Sequence, residues 1–162
     1  MKYKIIVDSC CDMPIELRKR LEINSVPLSM MVGGKEFIDD DELNMDNFMS
    51  EMKACTEKVG SASPSPFAYK EAMKNAGKSI IVTLSKKLSG SYNSAVTARH
   101  IAEEEGEVDA HIIDSKSASA GQTLIALKLH EMLSENNAIE SVKAGIESFI
   151  DNMKTYFVLE NY

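Results

Sequence analysis

Hydroxyl side chains gather at particular places in this chain. They occur as Asp8-Ser9, as Ser61-Ala62-Ser63, as Ser85 with Ser89-Gly90-Ser91, and as Asp114-Ser115 with Ser117 and Ser119 behind. Most of these groups follow a short apolar run and precede a stretch with helical spacing. Free N–H groups and the positive end of the dipole at a helix start favour an anion. Hydroxyls and amides without a Lys or Arg inside the motif suit a small anion such as a carboxylate. A triphosphate would want more. The plainer reading of each serine is an N-cap. For Asp8 and Asp114 it is a carboxylate that accepts N–H groups of a neighbouring loop and fixes it.

Other chemistry finds little support. There is no G-x-G-x-x-G turn and no Walker A loop, so neither a dinucleotide nor a nucleotide has its phosphate cradle. A G-x-S-x-G elbow is missing as well. Cys11 and Arg18 stand one residue too far apart for a phosphatase loop. Cys10 and Cys11 read as packing residues. His100 and His130 fall in helical stretches and His111 in a strand-like one, so no Ser/His/Asp set assembles. Without C-x-x-C or Cys/His spacing, no metal site is expected. Met30, Met31, Met45, Met49, Met52 and Met73 cluster in the first half. Flexible methionine suits an adaptable apolar pocket or ordinary core filling.

The elements that must carry these groups alternate. Lys4 to Val7 predicts a first strand, apolar without alternation, as when both faces are covered. Asp12 with Pro14 opens a helix carrying Ile15, Leu17 and Leu21. Val26 to Val32 reads as a second strand, with Pro27 at its start or on an edge. Gly33-Gly34 turns the chain into Lys35 to Ile38. Asn44 caps a helix bearing Met45, Phe48, Met49 and Met52. Gly60 to Pro66 reads as loop. A helix follows from about Phe67 to Asn75, ended by Gly77, and then a buried strand from Ser79 to Leu84. Tyr92 to Glu105 is helical, Ala110 to Ile113 a strand, and helices run to about Ser134 and from Ile139 to Met153. Asn136-Asn137 breaks the last two apart. Thr155 to Leu159 is a final strand-like run. This alternation predicts an α/β fold with three layers, a mainly parallel sheet with helices on both faces. Ligands of such sheets sit beyond the carboxyl ends of the strands.

Length and composition agree with one globular domain. The 162 residues are 44% hydrophobic and 27% charged, enough to bury a core without staples. Eighteen Lys and Arg against 25 Asp and Glu leave a net charge of −7. That balance argues against nucleic acid and against an anionic membrane surface. No segment approaches a membrane span, so no stable insertion is expected. Asp8 interrupts the first apolar run too early for a signal peptide's core. Three cysteines, an odd count, fit a reducing compartment and so the cytoplasm.

Several of these pieces together resemble the DegV family. Val7-Asp8-Ser9-x-x-Asp12 closes the first strand and Val26-Pro27-Leu28 sits in the second. Ser61-Ala62-Ser63-Pro64-Ser65-Pro66 is similar to that family's Thr-Ser-Gln-Pro-Ser-Pro signature. Leu88-Ser89-Gly90-Ser91-Tyr92-Asn93-Ser94-Ala95 is similar to its Leu-Ser-Gly-Thr-Tyr-x-Ser-Ala run. Ile113-Asp114-Ser115 and Gly121 fit its next strand and helix. The resemblance implies a protein that binds a long-chain fatty acid, needs no cofactor and performs no chemistry itself. It implies carriage of the acyl chain for a separate fatty acid kinase subunit. Carried over, it assigns the carboxylate to the hydroxyls of Ser61 and Ser89, with Gly90 and Ser91 shaping the anion loop through their amides. Asp8, Ser9, Ser63, Asp114 and Ser115 would be scaffold. The chain departs from the family by Ser61 in place of Thr, by Ala62 and Ser63 in place of Ser and Gln, and by a missing second lobe that supplies a basic residue. Residues 1–154 then correspond to the first lobe and 155–162 to the start of the crossover. An apolar face left by that lobe predicts a homodimer, through exchange of the terminal strand. The alternative is an interaction fragment that dimerises without lipid.

Overall fold

A computed structural model describes residues 2–106, 108–135 and 137–159. Four strands form one parallel sheet: β1 (Lys4–Asp8), β2 (Asn24–Val26), β6 (Lys78–Thr83) and β7 (Asp109–Asp114), in the order β2-β1-β6-β7. Ile5 of β1 lies opposite Ile80, and Val7 opposite Val82. Between β2 and β6 the chain builds a separate antiparallel sheet from β3 (Ser29–Val32), β4 (Lys35–Ile38) and β5 (Gly60–Ala62), ordered β4-β3-β5. The helices are α1 (Ile15–Arg20), α2 (Met45–Ala54), α3 (Pro66–Ala76), α4 (Ser91–Glu105), α5 (Ala120–Ser134) and α6 (Ile139–Asn152).

Strand side chains alternate, so one apolar strand feeds two cores. Ile5, Val7, Ile80 and Val82 point into a core shared with Ile125, Leu129, Val142 and Ile146 of α5 and α6. Ile6 and Ile81 point the other way, onto Tyr69 and Met73 of α3 and Ala95 and Ala98 of α4. Both faces are covered, which is why these strands are apolar throughout. The three-layer expectation therefore holds for the large sheet.

Three expectations change. Val26 to Val32 is not one strand. Proline at 27 has no N–H for a ladder, and the chain passes there from the large sheet to the small one. Gly60 to Ala62, read as loop, pairs with β3: Ser61 lies opposite Met30. Its side chains are exposed, so no burial pattern marks it as a strand. Thr155–Leu159 forms no strand and is exposed. Asn136, half of the expected helix break, lies outside the described residues. Its neighbour Asn137 donates from Nδ2 to the Met132 carbonyl at 3.0 Å, closing the end of α5.

Gly121 marks a close approach. A Cβ there would lie 1.9 Å from Ser117 Oγ and 2.9 Å from its Cβ. Overpacking of this kind costs about 1–3 kcal/mol, more than the helix propensity that alanine adds. Gly121→Ala should lower the urea midpoint, and adding Ser117→Gly should recover most of the loss. An unchanged midpoint for the single variant would mean that the loop carrying Ser117 yields freely.

Candidate functional site

The loops after β1 and β6 meet α4 and α5 around one carboxylate. Asp8 is fully buried. Its Oδ2 accepts Leu84 N at 2.6 Å and Ser91 Oγ at 2.8 Å. Its Oδ1 accepts Gln122 Nε2 at 3.0 Å and Cys10 N at 3.2 Å. A buried ionised carboxylate needs such donors, and these come from four separate stretches of chain. Tyr69 Oη lies 2.5 Å from Ser91 Oγ, both buried. A carboxylate only accepts, so the Ser91 proton goes to Asp8 and the Tyr69 proton goes to Ser91. The Asp8 expectation of a loop-fixing carboxylate is thus what the geometry displays.

Ser91 differs from its expected part. Its hydroxyl faces inward, and its amide donates to Ser89 Oγ at 3.1 Å. Both groups are taken up inside the protein, so Ser91 presents no exposed donor of its own. Ser89 is half-buried. Its oxygen caps Ser91 N, which leaves its own proton for a group outside. The loop holding it is tight: Leu88 N and Ser89 N both donate to the Ser85 carbonyl, at 2.9 and 3.1 Å. At α4's first turn, Tyr92 and Asn93 have amides with no carbonyl four residues back in the helix.

Gly90 brings the second hydroxyl segment alongside. A Cβ on Gly90 would stand 3.1 Å from Ser63 Oγ, so the Ser61–Ser63 stretch and the Ser89–Gly90 loop touch. Ser61 is exposed on β5, at the edge of the small sheet and not at the end of a parallel strand. Ser65 caps α3, accepting Ala68 N at 3.2 Å. Beside Ser61 opens an apolar groove of about 260 Å³ lined by Met30, Val32, Phe48, Met52 and Val59. Phe37 meets Phe48 edge-on, 5.3 Å between ring centres, behind it. Met30 and Met52 thus line a groove, whereas Met73 fills the core.

Ser9, Asp114 and Ser115, also expected as scaffold, bond to backbone of the neighbouring segments. Ser9 Oγ accepts Leu28 N at 2.9 Å, and Ser9 N donates to the Val26 carbonyl at 3.0 Å. Asp114 Oδ1 accepts Lys86 N and Lys116 N at 3.1 and 3.0 Å. Ser115 Oγ donates to the Ser117 carbonyl at 3.0 Å. Asp114 and Ser115 therefore frame the loops after β6 and β7.

A larger cleft lies elsewhere. It measures about 560 Å³ and is lined by Ser9, Cys10, Asp12, Arg18, Asp39, Asp40, Asp41 and Ser119 among others. Arg18 grips Asp41 at 2.5 and 2.7 Å and holds its carboxyl below the usual range. Four carboxylates against one paired guanidinium repel an anion. Cys10 lines this cleft half-buried, which corrects its reading as a packing residue. Cys11 does pack, and burial pushes its thiol up to about 11. Among the described residues, no group of His, Cys, Asp and Glu is placed to hold a metal ion. Among them too, no helix is long and apolar enough to cross a membrane. Tyr69 and Gln122 escaped the sequence reading. Their signal was weak: two polar groups on otherwise core-facing helix sides.

The DegV family model matches residues 2–162. The chain belongs to the DegV family. A DegV domain-containing protein of Streptococcus pyogenes is 36% identical over 162 residues, 98% of this chain and 58% of its own length. A crystal structure of a DegV-family protein from Ruminococcus gnavus with vaccenic acid superposes at TM-score 0.87 and 37% identity. It covers 93% of this chain and 55% of that one. The Streptococcus pneumoniae Fatty Acid Kinase (Fak) B3 protein, loaded with linoleic acid, superposes at 0.82 and 34%, over 93% and 55%. This DegV chain spans a little over half the length of the curated relatives it matches.

Burial, and then the neighbouring Asp8 charge, push the Tyr69 phenol upward, partly offset by Ser91. A raised phenol pKa favours the neutral form in the fold. That contribution is complete below the unfolded value near pH 10 and is lost as pH rises beyond it. Urea unfolding should therefore show stability falling above about pH 10. Tyr69→Phe should flatten that fall while lowering stability at pH 7. An equal alkaline fall in both proteins would remove Tyr69 from the account.

Proposed function

We propose that this chain binds a long-chain fatty acid and carries it without altering it. The observation that bears the reading is the placement of Ser61. It stands at the border of the apolar groove, on a segment that touches the Ser89–Gly90 loop. A carboxylate there can take the Ser61 and Ser89 hydroxyl protons and the first-turn amides of α4. Gly90 leaves room for the close approach, and the tail runs along Met30, Phe48 and Met52. Asp8, Ser9, Ser63, Asp114 and Ser115 hold these parts in place. The relatives solved with vaccenic and linoleic acid support the ligand class.

No catalytic role is assigned. His100 and His130 lie on α4 and α5, and His111 in β7 faces Asp109 at 2.8 Å. The site needs no cofactor. Presentation of the bound acid to a fatty acid kinase subunit is part of the proposal, supported by likeness to the Fak B3 protein. The acidic charge and free thiols suit the cytoplasm. Residues 155–162 are read as the start of a crossover to a further lobe.

One observation favours a second reading. Tyr156, Phe157, Val158 and Leu159 are between 64% and 97% exposed. Such a run suits association with another apolar surface, including that of a second copy, and defines the interaction-fragment reading.

Native mass spectrometry of freshly purified protein, followed by organic extraction, tests both. Carriage is expected to give a C14–C18 acid at near one per chain. An empty dimer that ignores added oleate would instead support the second reading. Each hydroxyl bond to a carboxylate contributes about 1.5–3 kcal/mol. Ser61→Ala and Ser89→Ala should therefore each weaken oleate binding about tenfold or more. Unchanged occupancy in the double variant would move the carboxylate elsewhere.

A further inference from the structure

Asp8 and Ser9 are consecutive, yet they fasten different halves of the candidate site. Asp8 reaches the carboxylate end. Its bonds to Leu84 N and Ser91 Oγ fix both ends of the loop that carries Ser89. Ser91 N in turn orients Ser89 Oγ. Ser9 reaches the other end. It donates to the Val26 carbonyl and accepts Leu28 N, so it stitches the chain on either side of Pro27. That crossover is where the large sheet gives way to the small sheet, and the small sheet bears Met30, Val32 and Ser61 of the groove. Pro27 offers no N–H of its own there. Arg18 and Lys19 also pair with Asp41 nearby, through side chains that reach solvent.

We propose that Asp8 and Ser9 are two separate positioning residues, Asp8 setting the carboxylate end through α4 and Ser9 setting the acyl end by pinning the small sheet to the large one. This inference rests on the fatty-acid reading of the site. It divides affinity into a part independent of tail length and a part that grows with it. A well-covered methylene contributes about fourfold in affinity. A groove held loosely gains less from each added methylene. A misplaced Ser89 loses the same factor whatever the tail.

The test compares the protein with Ser9→Ala and Asp8→Asn across the saturated acids from decanoic to octadecanoic, by competition against a fluorescent fatty acid. Asp8→Asn should lose roughly tenfold or more at every length with the increment per methylene unchanged. Ser9→Ala should keep the affinity for decanoic acid within a few-fold and reduce the increment to about twofold. If Asp8→Asn does not accumulate folded, Ser91→Ala cuts the link from Asp8 to α4 and carries the same expectation. Hydrogen exchange without ligand gives an independent readout. In Ser9→Ala, peptides covering 29–32 and 60–62 should exchange faster while 79–83 stay protected. Unchanged exchange in the small sheet, or a Ser9→Ala loss equal at all tail lengths, overturns the proposal. An Asp8→Asn loss that grows with tail length does the same. An unsubstituted protein that binds none of the acids overturns the fatty-acid reading instead, and the exchange data then still decide whether Ser9 pins the small sheet.

Discussion

A fully buried carboxylate with four donors is the constraint on which the rest of the structure turns. Asp8 collects an amide from its own loop, an amide from the loop after β6, a hydroxyl from α4 and a side-chain amide from α5. Taking an ionised group out of water is expensive unless every lone pair is answered. The answers here arrive from far apart in sequence, so they form only when the parallel sheet and the helices on its two sides are in place. Removing a donor leaves the charge buried and undersatisfied. Its position at the end of β1, inside the sheet, is what lets one side chain touch two loops and two helices.

The hydrogen-bond directions that follow from Asp8 organise the surface above it. Because a carboxylate cannot donate, Ser91 must point its proton inward, and Tyr69 must then donate to Ser91. Ser91 N binds Ser89 Oγ from below. The outcome is one serine with an inward proton and another with an outward one, two residues apart. Gly90 between them has no side chain to push Ser63 away. On the proposed reading, a small site for an anion thus arises above a buried anion, through a chain of alternating donors and acceptors.

Much of this was legible in the sequence. The βαβ alternation followed from β-branched runs separated by helical spacing, and both covered faces of the large sheet followed from runs such as Ser79 to Leu84 that lack alternation. Asn44 was readable as a helix start, and Gly77 as a stop. The second sheet was not legible. Its β5 is Gly60-Ser61-Ala62, with no β-branched or aromatic residue and no buried side chain, so it is a strand only because β3 offers it hydrogen bonds. Pro27 reads as a strand start or an edge, and it marks a crossover between sheets, since a missing N–H fits all three. Ser89 was legible as a candidate by its position after a strand, and Ser61 only through the family resemblance. Their directions were not, because the orientation of Ser91 depends on Asp8 and Tyr69, which lie 83 and 22 residues away.

The charge distribution decides which part of a fatty acid such a site would value. The chain carries −7 overall, and the cleft beside the β1 loop gathers Asp12, Asp39, Asp40 and Asp41. Neither draws a carboxylate in from solution. Two hydroxyl bonds to a charged acceptor contribute about 3–6 kcal/mol together, and part of that offsets the desolvation of the ligand's head. A tail of about fifteen methylenes gains about 0.8 kcal/mol for each one covered, so even half coverage matches the head. On the proposed reading the tail then supplies most of the affinity and the serines supply orientation. Such a division suits a carrier. Hydroxyls and amides hold the carboxylate without neutralising it, whereas a buried cation paired with it would compete with any partner that must reach its oxygens.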